Sequence, residues 1–308
     1  DASVFSSVMD GGIITASNQM TSYFKSYYPE SSFLSYLNYN KDTRSGFDVA
    51  VKYKKNFGDF GFEGGANMTY YTTKASKRDD ANYADTYQYR EGKALDAIWG
   101  YECLGFFKDE ADIANSPKQS LGATVKPGDL KYKDQNGDNI IDSKDQVDLG
   151  KGGWYGAPMT LGVNLTFKYK NFSLFMLGVG GFGGHAVKNN SYWWISGENK
   201  YSAAVRNRWT AATAETATYP RLTTQSGANN NTTSDFWMYS TSRFDLAKVQ
   251  LTYDFPKTVI GNGIVKGLSV YVSGNSLLTF AKERKLMEMS VGEAPQSRFY
   301  NIGAKVNF

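Results

Sequence analysis

The sequence predicts an all-β fold and, within that class, part of a large antiparallel barrel that crosses a membrane. Three observations lead there. Apolar residues recur at every second position over several segments of strand length. The intervening positions carry charges that a dry core would reject. The connections alternate between very short and very long.

In the first such segment Phe47, Val49, Val51 and Tyr53 oppose Asp48, Ala50, Lys52 and Lys54. In the second, Phe60, Phe62, Gly64, Ala66, Met68 and Tyr70 oppose Gly61, Glu63, Gly65, Asn67 and Thr69. Leu161, Val163, Leu165, Phe167 and Tyr169 then oppose Gly162, Asn164, Thr166 and Lys168, and a further strand starts at Phe172. Val249, Leu251, Tyr253 and Phe255 follow, then Leu268, Val270 and Val272, and finally Tyr300, Ile302, Ala304, Val306 and Phe308. Each reads as a strand with one apolar face. Near Phe244 the phase changes at Ala247-Lys248, which predicts a bulge. The faces bearing Lys52, Glu63, Lys168, Asp254 and Lys305 suit a water-filled lumen, which leaves the apolar parity to lipid.

Barrels of this kind place short turns on the periplasmic side and long loops outside. Residues 54–59, 170–171 and 256–267 are short connections, whereas 73–158, 182–242 and 281–298 are long and polar. Parity requires an even number of crossings inside each of the first two long segments, and two are expected around 86–107. The total is then roughly seven to ten strands of about 10 residues each. Such a sheet leaves backbone groups unsatisfied at its edges in lipid, so strands beyond these residues must close it.

Composition agrees. Aromatic residues make up 15% of the chain and Gly outnumbers Pro by 31 to 7, a mix that favours strands and tight turns. The net charge of +4 comes from scattered cations, which argues against nucleic-acid binding. Cys103 is the only cysteine, so no internal disulfide framework exists, and a buried neutral thiol is expected. No export signal opens the sequence, so any such signal is expected to be removed or to lie outside these residues. The uncharged stretch 171–187 is broken by Gly178, Gly180, Gly181, Gly183 and Gly184, which argues against a membrane helix.

Four strings then carry a family resemblance. Pro127-Gly128-Asp129-Leu130-Lys131-Tyr132-Lys133-Asp134-Gln135-Asn136-Gly137-Asp138 resembles the PGDIKYKDxNGD loop of the SusC/RagA group of TonB-dependent importers. The segment from Arg243 to Pro256 is similar to its FLRLKNVTLGYTLP strand, that from Leu268 to Phe280 to LRVYVSGNNLLTF, and that from Pro295 to Phe308 to the PxxRxYxxGxxxxF ending. The family's DPE after the penultimate strand is absent, replaced by Lys285-Leu286-Met287-Glu288. The resemblance implies the C-terminal part of a barrel of about 22 strands over 1–308, with the plug domain and TonB-contact segment elsewhere. It implies a Gram-negative, Bacteroidota-like outer membrane, a SusD-like surface lipoprotein as partner, and import of oligosaccharides or peptides. The aromatic ending Tyr300 to Phe308 is then expected to serve as the barrel-assembly signal and closing strand.

Among candidate sites, Asp134, Asn136, Asp138, Ile140, Asp142 and Asp145 carry calcium-loop spacing, with Ile140 contributing its carbonyl; a structural Ca²⁺ is the cofactor expected. The loop departs from an EF-hand in having Gly137 at position 4, Asn139 at the turning position 6 and Asp145 in place of a bidentate Glu. An acidic turn held by hydrogen bonds is the alternative. Trp154, Tyr155, Tyr192, Trp193 and Trp194 fall in outer segments where aromatic faces could stack on sugar rings, against an alternative of girdle or loop packing. Gly178-x-Gly180-x-x-Gly183 fits a dinucleotide fingerprint in form but lacks the following helix. His185, the only histidine, has no nucleophile motif around it. No catalytic residue is assigned, and the chain is expected not to be an enzyme. Gly227 to Thr233, rich in Asn and Thr, reads as an expendable outer loop.

The functional expectation is TonB-dependent import of nutrient oligomers. The alternative is a secreted soluble β-rich carbohydrate-binding module with a dockerin-like calcium loop; a surface hydrolase ranks third.

Overall fold

The computed structural model describes residues 1–15, 17–18, 36–153, 156–198, 202–261, 263–290 and 294–308. Eight strands form one antiparallel sheet in chain order: β1 (Ala2–Thr15), β2 (Tyr36–Phe57), β3 (Phe60–Lys77), β4 (Met159–Tyr169), β5 (Phe172–Phe182), β6 (Arg243–Asp254), β7 (Gly267–Ala281) and β8 (Phe299–Asn307). Every strand pairs with its neighbours in sequence, as in an up-and-down barrel wall. Among the described residues β1 and β8 have one partner each, so the sheet is open.

The register puts the apolar parities of all these strands on one face. Val51 lies opposite Ala66, which faces Val163, which faces Gly178. One row lower, Leu165 faces Met176, Met176 faces Val249, Val249 faces Gly274 and Gly274 faces Tyr300. The other face carries rows such as Lys54, Glu63, Thr166, Phe175, Gln250, Ser273 and Asn301. Aromatic rings gather at one end of the apolar face: Phe62 and Phe167 have centroids 5.2 Å apart, and Phe172 and Tyr253 4.8 Å. A girdle of this kind marks a membrane boundary.

Gly58 (φ 59°) closes the β2–β3 turn and Lys170 (φ 50°) the β4–β5 turn, while a four-residue helix, Lys257–Ile260, occupies the β6–β7 connection. All three connections lie at the end where Asn307 pairs with Gly267. The predicted bulge is present: pairing on both sides of β6 shifts between Leu246 and Lys248, leaving Ala247 as the extra residue against β5 and setting it opposite the unpaired Ser276 and Leu277 of β7.

Two expectations need correction. Residues 86–107 contain no crossing. Their weak alternation belongs to two four-residue strands, Ala97–Gly100 and Cys103–Phe106, which pair with Val147–Lys151 and Leu130–Tyr132 of the same connection. Four residues are far too short to span a bilayer, for which a strand needs about 9–11. Conversely, β1 is a strand whose sequence shows no clean alternation, because Asp10-Gly11-Gly12 breaks its period with a register shift at Gly11 (φ 76°).

The distribution of apolar surface is inverted relative to an ordinary β-protein. Val4, Val51, Val272 and Ile302 on the sheet are 88%, 61%, 54% and 84% exposed. The fully buried large side chains, among them Phe107, Leu130, Tyr132, Ile141 and Trp237, all come from the two long connections. A sheet whose apolar face is bare while its loops own the dry core requires a lipid-like environment to hide that face. No helix among the described residues is long and apolar enough to cross a membrane.

Candidate functional site

The connections 78–158 and 183–242 rise from the end opposite the short turns and fold together into one cap. Tyr101, Leu130, Tyr132 and Ile141 from the first pack with Ile195, Val205, Tyr219 and Trp237 from the second. Local pairing supports this core: Lys118–Gln119 lies parallel to Ile140–Ile141, and His185–Val187 is antiparallel to Met238–Ser240. The two connections also join directly. Tyr101 N–H donates to Thr233 O (3.0 Å), Asp235 N–H to Tyr101 O (3.1 Å) and Cys103 N–H to the Asp235 carboxylate (2.8 Å).

The Pro-Gly-Asp string sits at the centre. Gly128 has φ 89°, and the Trp209 indole lies against it where any Cβ would point. Glycine is therefore required both by the backbone conformation and by the close approach. The next residue, Asp129, is 2% exposed. Its carboxylate accepts from Lys126 N–H (2.8 Å), Asn230 Nδ2 (2.8 Å) and Arg221 Nη2 (2.9 Å), and Arg221 Nε lies 2.7 Å from Oδ1.

Gly227 to Thr233 is accordingly not an expendable loop. Asn229 and Asn230 are buried, and their amides serve Leu130, Gln119 and Asp129. Sequence reasoning missed Gln119, Asp129, Arg221, Asn229 and Asn230 as a group. The only signal was that an Asn pair can satisfy several buried backbone groups at once, which composition alone cannot distinguish from a solvated turn.

Several cap groups titrate away from their usual values. The Lys131 ammonium beside Asp112 (2.8 Å) and the Lys133 ammonium beside Glu102 (2.9 Å) hold those carboxyls below the ordinary range. Burial raises Asp235 despite its N–H donors. Burial also pushes the Cys103 thiol up to about 11, in keeping with a neutral thiol at the edge of the cap core.

In the acidic loop each side chain is engaged by the backbone. Asp134 accepts from Gly137 N–H (2.7 Å) and Asn139 N–H (2.8 Å), and Asp138 from Ile140 N–H (2.9 Å). Asn136 Oδ1 accepts from Asp138 N–H (3.1 Å). Asp142 and Asp145 form a capping box, with Asp145 fully buried and accepting from Gln135 and Asp142 N–H (2.8 Å each). Asn139 adopts the left-handed φ of 62° that the turning position demands. Lys144 Nζ stands 3.5 Å from Asp138 and 3.7 Å from Asp142, where a cation between these carboxylates would sit. Among the described residues no group of three or more His, Cys, Asp or Glu side chains converges as a metal site. The same side chains thus make a hydrogen-bonded turn.

Of the aromatic candidates, Trp154 and Tyr155 lie outside the described residues. Tyr192, Trp193 and Trp194 share one turn, with the Tyr192 and Trp193 rings edge to face at 5.0 Å. Trp193 and Trp194 pack against the cap core, and Lys188 Nζ lies 5.2 Å from the Trp193 ring. Gly178 and Gly180 belong to β5, where Phe244 covers both, so their spacing serves close packing and not a nucleotide. His185 lies in the short pairing with Ser240, its imidazole beside Gly150.

No protein-family model matches the chain. Two curated relatives from Formosa agariphila, TonB-dependent receptor P26 and TonB-dependent receptor P3, are 29% and 25% identical over 198 and 193 residues, 63% and 62% of this chain. The chain spans 19% and 18% of their lengths. The RagAB peptide importer in its "open-open" state matches all of the chain with 32% of its own, at a TM-score of 0.70 and 18% identity. In its "closed-closed" state the values are 92%, 30%, 0.63 and 19%. Identities this low mean that what is shared with the solved structures is the fold.

Proposed function

The chain fits a barrel segment of a SusC/RagA-type TonB-dependent receptor, and on that premise we propose that the protein carrying it imports nutrient oligomers, glycans or peptides, across the outer membrane of a Gram-negative bacterium. The observation that carries this reading is the bare apolar face of the eight-stranded sheet, set against a dry core built only by the outer connections. A soluble carbohydrate-binding module would have to bury that face. The relatives' names and the RagAB fold support the same reading.

In the proposed complete protein, strands outside this chain close β1 to β8, TonB supplies energy through a region outside these residues, and a SusD-like lipoprotein meets the cap. The chain contributes wall and cap, with no covalent chemistry on the solute. Tyr192 and the exposed parts of Trp193 and Trp194 are proposed to line the route of the solute over the cap. The acidic loop is proposed as an architectural turn that binds Ca²⁺ only when Lys144 swings aside.

The test is uptake of labelled glycan and peptide mixtures by cells with and without the gene, each with TonB present or deleted. Loss of uptake in both single deletions, with the protein recovered in the outer-membrane fraction, supports the proposal. Uptake indifferent to TonB, or a protein monodisperse in plain buffer, contradicts it.

A further inference from the structure

The network around Asp129 is divided between the two long connections, and neither half is complete alone. From the first come Gln119, Gly128, Asp129, Leu130 and Tyr132; from the second come Arg221, Asn229, Asn230 and Trp237. Arg221 N–H donates to Gly128 O (2.9 Å) while its guanidinium holds Asp129. Leu130 N–H donates to Asn230 Oδ1 (2.9 Å), and Leu130 O accepts from both Asn229 Nδ2 (3.0 Å) and Gln119 Nε2 (2.9 Å). Tyr132 donates its hydroxyl to Asn229 O (2.7 Å) and its N–H to Gln119 Oε1 (2.7 Å). Trp237 Nε1 closes the set on Asn230 O (2.7 Å).

Almost all of these groups are shut off from water. Separating the connections would strand backbone groups, two amides and a carboxylate together, and a buried group that loses its partner is far more costly than the bond it made was favourable. The set therefore breaks as a unit or not at all. The link to the barrel is different in kind. At the sheet rim the bonds are local to the first connection, which meets the end of β3 through Tyr71 N–H to Pro158 O (2.9 Å), Ala75 N–H to Lys93 O (2.8 Å), Gly92 N–H to Ala75 O (2.7 Å) and Leu95 N–H to Thr73 Oγ1 (3.1 Å), and β2 through the Arg78–Asp42 ion pair (2.6 Å). Strand β4 is paired along its whole length with β3 and β5 by unbroken ladders.

We infer that the two long outer connections form a single cooperative unit, locked by the Asp129-centred network, which opens as a body while the barrel sheet stays folded. The outer face is then presented preassembled, and damage at either connection appears at the other. This holds whichever solute the protein carries.

The test is amide hydrogen exchange on the protein that carries this chain, purified in detergent. Asp129→Ala should speed exchange at 229–237 by at least about tenfold, and Arg221→Gln should do the same at 128–132. Amides of β4 and β5 should change little in either variant. Asn230→Ser removes bonds on both sides without stranding a charge, and should reproduce the reciprocal response if the harsher variants assemble poorly. Acceleration confined to the substituted connection, or loss of protection in β4 and β5 together with the cap, overturns the inference.

Discussion

The Phe244 ring of β6 lies across Gly178 of β5, filling on the apolar face the space that a Cβ would take. It also covers Gly180, so these glycines seat an aromatic ring. Such cover replaces side-chain contacts that glycines in a strand lack.

This pair gives a first prediction. Gly178→Val should destabilise the barrel by about 1–3 kcal/mol through overpacking. Combining it with Phe244→Leu should recover part of the loss. Heat-modifiable gel migration across a temperature series measures it; an effect of Gly178→Val that ignores residue 244 would contradict the close packing.

A second prediction concerns facing. Val163 pairs with Ala66 and Gly178 in the middle of β4, and Asn164 points the other way, its amide over Gly65. Val163→Arg should cost about 2–4 kcal/mol if the site lies at the bilayer midplane, whereas Asn164→Arg should be tolerated. Urea titration of both variants in detergent or lipid compares them, and equal cost at both positions would contradict the assignment.

The sheet was legible because period two is a local signal: Leu161 to Tyr169 states its facing without help from its partners. The bulge at Ala247 was legible for the same reason, as a break in phase. The cap was not. Asp129 and Asn230 are 101 positions apart, and nothing in the run Asn229-Asn230-Asn231 distinguishes an amide that closes a buried network from one that faces water. The strand pairs at 97–106 failed for a related reason: four residues carry too few alternations to reveal what they pair with.

The third prediction is a pH dependence of the cap. Asp112 and Glu102 have folded pKa values below their unfolded ones, so their stabilising ties to Lys131 and Lys133 are complete above about pH 4. They are lost as pH falls through the depressed folded values. Asp235 is raised by burial and acts oppositely: acidification toward about pH 4 relieves its burial and stabilises slightly. Denaturant midpoints read from tryptophan fluorescence should therefore rise a little on mild acidification and fall below about pH 4. Asp112→Asn should weaken the acid loss; a profile unchanged by Asp112→Asn and Glu102→Gln together would contradict the assignment.

The fourth prediction addresses calcium. A divalent ion at the acidic loop must displace the Lys144 ammonium from Asp138 and Asp142. Lys144→Gln should therefore make amide protection at 134–145 more calcium-dependent than in the parent. Identical exchange with millimolar calcium and with chelator in both proteins would count against any cation there.

The central claim is that alternate residues of these strands face lipid and water. Spin labels placed singly from 161 to 168 in the reconstituted protein test it most directly. The account predicts high oxygen and low nickel-chelate accessibility at Leu161, Val163, Leu165 and Phe167, and the reverse at Gly162, Asn164, Thr166 and Lys168. Uniform water access along the strand, or alternation in the opposite phase, would contradict it.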